Sequence, residues 1–515
     1  MSIFSKRLSH VNCKTWLVNG NGFQFPELGD PQFKLDHLLS RPNVGIAFSG
    51  GGTRSASATL GQLRALHYLG LLDSARYISC VSGGSWACVP YTFLPRPNAD
   101  ETFLGPVVEP GDLTRDRLEN PQEGSFAYVL SRSTIIDDFI EHGLFRLAGD
   151  ETYSRALGDI FLQPFGIDSL KRFFTQDRGS LAKILAANPH MNEDDFYLAK
   201  HSRPYLLVGA TFLHTPAFSF TAKKYQLEIT PLYTGLYKDH GNVGVGKHHI
   251  GGGYLETFGF DSEALAEESA DANGRLTVKL GAKRHRFTLS DTIGTSGAAP
   301  AEVLDELHLD FLGFPEFRYW PVEEAQQGDA RTFEYEFGDG GNLENLGVIP
   351  LLLRGVEKMV VFINTKHPLE SDSNINTSLL NLFGQDPGFM HNQVFRKDQF
   401  APLVENLRTK NENGEPALHK DTFRVVRNRN FGVEPGEVEV LWVYNEKVEN
   451  WEQQLSPEVK DLLQLGQLHN FPHYKTFFQN PPKPIDLTSI QAELLANLSC
   501  YNIMESENLF RQMLT

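Results

Sequence analysis

The hydrophobic pattern is most regular between residues 43 and 94. "NVGIAFSG" (43–50) is an uninterrupted apolar run that ends in serine and glycine, which predicts a buried strand. "SASATLGQLRALHYLGLLD" (55–73) then places Leu60, Leu63, Leu66 and Leu69 on one face of a helix, and Gly70 suits the end of that helix. A second apolar run, Tyr77–Val81, leads through "SGG" into another apolar segment, Trp86 to Leu94. Strand, helix, strand, helix is the grammar of a parallel sheet covered by helices, an α/β class. From about 97 to 200 the strand pattern fades, and segments such as "SFAYVLSRSTIIDDFIEHGLFRLAG" read as amphipathic helices of a cap inserted into the sheet domain. Strand-like runs return at 203–212, 226–234 and 358–364. Residues 237–254 read as a glycine-rich loop, and 263–274 as an acidic, solvated stretch. The organisation expected is an N-terminal extension, 1–40, followed by a single domain, 41–515, with the helical cap inserted at about 97–200.

Composition fits that picture. The 515 residues are 41% hydrophobic and include 37 phenylalanines, enough for a substantial core. A net charge of -17 argues against nucleic acid as a partner and requires any contact with an anionic membrane to come from a local patch. The first residues carry no apolar signal segment, no run reaches membrane-spanning length, and no lipidation signal is present, so the expected address is cytoplasmic, with peripheral membrane contact left open. Four cysteines, Cys13, Cys80, Cys88 and Cys500, form neither a disulfide framework nor a metal-ligand spacing. No metal or cofactor is expected.

Three stretches carry candidate chemistry. In "YISCVSGGSWACVP" (77–90), Ser82 occupies a strand-to-helix turn where a nucleophile elbow needs small neighbours two positions away; Gly84 supplies one and Cys80 stands at the other. Ser85 offers a competing register, but lies a turn inside the helix. The stretch alone leaves two roles open for Ser82, nucleophile and helix N-cap. "SGGGTR" (49–54) exposes backbone N–H groups at a helix N-terminus, suited to a phosphate or an oxyanion. It lacks the lysine-hydroxyl pair of a nucleotide loop, and the near miss "GNVGVGKH" (241–248) has His248 where the hydroxyl residue belongs. "FEYEFGDGG" (333–341) is an alternating strand ending in Asp339, where Asp-Gly-Gly by itself is a common turn. His367, His391, His419, His469 and His473 follow Asp339 in the order of a conventional triad, none within a recognisable motif. The apolar positions of 379–395 fit either a lipid-facing loop or ordinary packing, and "AKRHRF" (282–287) either a headgroup contact or a solvated strand face.

"SGGGTR", "SGGSW" and "GDGG" in this order resemble the patatin-like lipid acyl hydrolases, and more closely the catalytic domain of cytosolic phospholipase A2. "GTSGAAPA" (294–301), Asn345 after the aspartate motif, "VEVLWVYNEKVENWEQQL" (438–455) and "FPHYKTFF" (471–478) extend the likeness, while the cap region matches least and Cys80 stands where the family has glycine. The resemblance implies a three-layer sheet covered by helices, Ser82 as nucleophile and Asp339 as its sole base. It further implies an oxyanion hole from Gly51 and Gly52, with Arg54 facing a substrate phosphate or steadying the loop. The activity implied is hydrolysis of fatty-acyl esters of phospholipids or lysophospholipids. A carboxylate of reference pKa about 3.9 is a poor base for a hydroxyl, so such a dyad depends on desolvation and on the oxyanion donors. The rival expectations are a lipid-binding protein of the same fold without turnover, and a nucleotide-binding protein using the glycine loop.

Overall fold

The computed structural model describes residues 9–18, 22–95, 99–132, 152–215, 222–265, 269–281, 286–298, 315–369, 375–474 and 487–515. Two compact units share the chain. One holds Arg41–Tyr91, Arg96–Leu144 and Glu344–Thr515, the other Met1–Ser40, Thr92–Pro95 and Phe145–Leu343.

In the first unit the apolar runs form the expected parallel sheet, in the order Tyr77–Val81, Val44–Phe48, Lys358–Ile363 and Gly436–Tyr444, with Leu418–Val425 antiparallel beyond them. Val44–Phe48 and Tyr77–Val81 are buried at every position, which is why they read as continuous apolar runs rather than as alternation. Helix Gly52–Tyr68 follows the first of these strands and ends, as expected, before Gly70 at φ 68. Its sequence marks one apolar face, yet residues 52–66 are all buried, Arg54, Gln62 and Arg64 among them. The cause is helix Ser489–Glu505, which lies so close that a Cβ on Gly61 would sit 1.9 Å from the Ala496 carbonyl oxygen.

The main sheet of the second unit is antiparallel. Its strands run in the order Ser262–Ala264, Arg275–Leu280, His10–Leu17, Gly253–Glu256, Tyr233–Leu236, Lys223–Ile229 and Tyr205–His214. Phe333–Asp339 pairs with Tyr205–His214 on one side and Glu316–Tyr319 on the other. The first 40 residues thus supply a strand of this sheet. The apolar run 226–234 is two strands, Lys223–Ile229 and Tyr233–Leu236, because Pro231 falls in the turn between them.

Within the stretch expected to be a helical cap, helices Ala99–Leu104, Arg115–Glu119 and Phe126–Arg132 lie in the first unit, and Thr152–Phe161 and Arg178–Ala187 in the second. Two short parallel strands, Phe173–Thr175 and Phe196–Leu198, also occur there, too brief to register as periodicity. Most of "SRSTIIDDFIEHGLFRLAG" lies outside the described residues. Among the described residues no helix is long and apolar enough to cross a membrane.

One buried acid in the second unit makes stability depend on pH. Glu256 is fully enclosed, accepts the Lys14 amide at 2.7 Å and lies 3.5 Å from Arg275; burial pushes its carboxyl up to about 7 against the pull of those partners. A folded-state pKa above the unfolded one means stability fully present below about 4.5 and lost as pH rises through 7, by about 3 kcal/mol. Glu256→Gln should flatten that slope between pH 5 and pH 8 in denaturant titrations; an unchanged slope would show that Glu256 does not titrate there.

Candidate active site

The parallel sheet brings the loops after its strands to one edge, the place where open α/β sheets bind ligands. Ser82 follows Val81 directly and precedes helix Gly83–Phe93, with φ 50. Among the described residues only Lys247 and Asp261 share a positive φ without being glycine. An N-cap serine sits in the extended region, so this backbone is that of a strained strand-to-helix elbow, at a cost of about 1–2 kcal/mol. Ser85 secures the turn from within the helix: its amide and its hydroxyl donate to the Ser82 carbonyl at 2.8 and 2.6 Å.

The elbow is seated on the glycine loop. A Cβ on Gly83 would lie 2.1 Å from the Gly52 carbonyl oxygen, and one on Gly84 2.8 Å from those of Phe48 and Ser49. Gly84 therefore meets the small-residue requirement. Cys80, on the other side, is buried and hydrogen-bonds Cys88 one turn into the helix, so its side chain is taken up away from the turn. On the facing side, Gly50 packs against both the Ser82 Cβ and the Asn345 side chain, and its amide donates to the Asn345 carbonyl at 2.9 Å. Asn345 is held in turn by Glu344, whose buried carboxylate accepts the amides of Leu346, Val348 and Ile349 at the start of helix Val348–Leu353.

Gly51 adopts φ 142 and Gly52 φ 58, and Gly52 opens the first turn of helix Gly52–Tyr68, where N–H groups have no intrahelical acceptor. Arg54 underlies this turn. Its guanidinium is buried, donating from Nε to the Asn364 carbonyl at 3.2 Å and from Nη1 to the Tyr474 carbonyl at 2.6 Å. Burial lowers its pKa to about 10. Of the two roles the sequence leaves for Arg54, this is the geometry of steadying the loop.

Asn364 went unnoticed in the sequence. Its amide donates to Ser49 Oγ at 2.8 Å, its Oδ1 accepts Gln62 Nε2 at 2.7 Å, and its Nδ2 reaches Ser55 and Thr59. It ends a strand as one polar residue after "VVFI", and nothing local announces so many partners. Next to Tyr474, His473 has both ring nitrogens engaged, with the Thr365 carbonyl at 3.2 Å and Glu446 at 2.9 Å.

Asp339, in the other unit, ends strand Phe333–Asp339 and is 8% exposed. Its amide donates to the Ala298 carbonyl at 2.8 Å, its carbonyl accepts Thr211 Oγ1 at 2.8 Å, and its Oδ1 accepts the Gly341 amide at 2.6 Å. Ala298 directly follows helix Leu289–Gly297, so the described part of the small-residue segment 294–301 lies beside the aspartate strand. Tyr153, which the sequence did not single out, donates to the Gly297 carbonyl; burial first, and the charge of Asp339 second, hold its phenol well above the usual range.

Two of the remaining candidates, His248 and Arg286, are engaged structurally. His248 contacts the Tyr335 hydroxyl at 2.8 Å and the Arg331 carbonyl at 2.9 Å, and burial lowers its pKa to about 4. No cluster of metal-ligating side chains occurs among the described residues. Of "AKRHRF", residues 282–285 lie outside the described residues, and Arg286 is paired with Asp195 at 3.0 Å. In 379–395 most apolar side chains are buried, while Phe389 and Met390 are exposed.

No family model matches the chain. Mouse cytosolic phospholipase A2 zeta is 39% identical over 71 residues, 14% of this chain and 8% of that protein. A lysophospholipase of Penicillium chrysogenum is 47% identical over 97 residues, 17% of this chain and 13% of that protein. The matches thus span only 8% and 13% of those relatives' own length. Human GIVD cytosolic phospholipase A2 superposes with a TM-score of 0.46 and 17% identity, covering 93% of this chain and 60% of that one.

Proposed function

We propose that this chain, a relative of cytosolic phospholipases A2 and lysophospholipases, is a lipid acyl hydrolase that cleaves fatty-acyl esters of phospholipids or lysophospholipids. The observation that carries the reading is Ser82 at φ 50, presented on a strand-to-helix elbow that packs against a glycine loop at a helix N-terminus. In this reading Asp339, which lies six positions ahead of Asn345 in the chain (345 − 339), is the base. Asp339 takes the hydroxyl proton as Ser82 Oγ attacks the ester carbonyl. The Gly51 and Gly52 amides hold the oxyanion, each such donor lowering the barrier by about 3 kcal/mol in known hydrolases. The alcohol leaves with the proton, and a water that Asp339 deprotonates then releases the fatty acid from the acyl-enzyme. Arg54 acts by fixing the glycine loop. The reading places the protein in the cytoplasm, meeting its substrate at membrane surfaces.

The test is labelling with a long-chain alkyl fluorophosphonate followed by peptide mass spectrometry. An adduct on Ser82 that is lost in Asp339→Ala is the expected result. An adduct on Ser85 would move the elbow, and vesicle binding with neither adduct nor ester turnover would make the protein a lipid binder instead.

A further inference from the structure

Far from Ser82, the first unit holds polar groups that its own fold leaves unsatisfied. Where helices Gly52–Tyr68 and Ser489–Glu505 cross at Gly61 and Ala496, Arg64 lies one turn further along the first helix and Asn497 is the next residue of the second. Both line a cavity of about 300 Å³, closed by the segment from Gly105 to Ala127. Twelve residues of helix separate Arg64 from Gly52 (64 − 52), roughly 18 Å along the axis, so this cavity is not part of the elbow site.

Arg64 is 4% exposed, and its Nε donates to the Leu104 carbonyl at 2.7 Å. Its Nη1 and Nη2 make no hydrogen bond; Glu493 Oε2 stands 3.9 Å from Nη2, beyond reach. Asn497, 6% exposed, spends its Nδ2 on the Glu493 carbonyl and carboxylate at 2.8 and 3.1 Å, while its Oδ1 has no partner. One wall of the cavity thus offers guanidinium donors that the fold leaves unused, which buried groups rarely do, while Asn497 Oδ1 is shut off from the cavity. Arg117 lines the same cavity from the exposed helix Arg115–Glu119, so two guanidiniums face the single carboxylate of Glu493, in a protein of net charge -17.

We infer that the cavity beside Arg64 binds a small phosphate ester, for which sn-glycerol 3-phosphate serves as the probe. The phosphate oxygens accept from Arg64 and Arg117, matching the fork of donors that guanidinium presents. The volume holds about ten water-sized groups, ample for such a molecule. An adjoining hollow of about 670 Å³, which shares Arg64 and is lined by His67 and Glu101, leaves room for a larger substituent on the ester.

The inference stands independently of the esterase reading, so it is tested in full-length Ser82→Ala, where turnover plays no part. Titration calorimetry and thermal melting with sn-glycerol 3-phosphate should show saturable one-to-one binding and a raised Tm. Arg117→Ala, a change on an exposed helix whose unliganded melt checks folding, should weaken binding at least about tenfold. Propyl phosphate, which keeps the phosphate and lacks the hydroxyls, should bind the parent within a few-fold of glycerol 3-phosphate, and Arg64→Gln, with its unliganded melt as the folding check, should weaken both at least about tenfold. Phosphatidylglycerol vesicles form a second arm: binding to vesicles but not to the free ester, abolished by Arg117→Ala, would identify the ester as a lipid headgroup. No saturable binding in either arm, binding indifferent to both substitutions, or tighter binding of glycerate than of glycerol 3-phosphate would overturn the inference.

Discussion

Ser82→Ala is expected to lower long-chain ester turnover by at least about 10⁴-fold, the scale on which serine hydrolases lose kcat when the nucleophile is removed. Stability should hardly change, since alanine keeps the Cβ that packs on Gly50 and suffers the same strain at φ 50. Ser85→Ala should do the opposite. Its buried hydroxyl holds the Ser82 carbonyl at 2.6 Å, a bond whose loss costs about 1 kcal/mol, and turnover should stay within a few-fold. Parallel kcat and chemical-denaturation measurements separate the two serines. If Ser85→Ala were the silent enzyme and Ser82→Ala the active one, the nucleophile assignment would fall.

The second large effect concerns the scaffold. Gly61→Val should destabilise the protein by roughly 3 kcal/mol or more, because the new Cβ would start 1.9 Å from the Ala496 carbonyl oxygen. Backbone cannot step aside as a flexible side chain does. Helix Gly52–Tyr68 would have to part from helix Ser489–Glu505, exposing apolar surface around Leu494, Leu495 and Leu498, all buried in the parent. Gly70→Val is the control, since a Cβ there meets open space and only the φ of 68 opposes it. A Tm for Gly61→Val within a degree or two of the parent would show that the helices do not approach as described.

The elements legible in the sequence are those whose period reports local burial. Val44–Phe48, Tyr77–Val81 and Lys358–Ile363 are short apolar runs because both faces of a parallel sheet are covered, and the α/β class followed from them. Strand Gly436–Tyr444 and the antiparallel strands His10–Leu17 and Arg275–Leu280 mix polar and apolar positions and were not read as strands. Motif residues such as Ser82, Gly51 and Asp339 were visible because backbone geometry restricts residue type at each turn. Their supports, Asn364, Glu344 and Tyr153, were not. Asn364 and Tyr153 act through partners distant in sequence, Glu344 through amides two to five residues ahead, and a single polar or aromatic residue carries no mark of either.

The hydrogen bond from Arg54 to the Tyr474 carbonyl spans 420 positions of sequence. Contacts of such separation form late in folding, because most of the chain must be placed before they can close. The glycine loop therefore lacks this brace until residue 474 is in place, however early its own strand and helix form. A chain made only as far as residue 400 would carry Ser82, Asp339 and the glycine loop and still lack the Tyr474 carbonyl that braces Arg54 beneath that loop. On the function proposed above, activity would therefore be expected only after Tyr474 has been added to the chain.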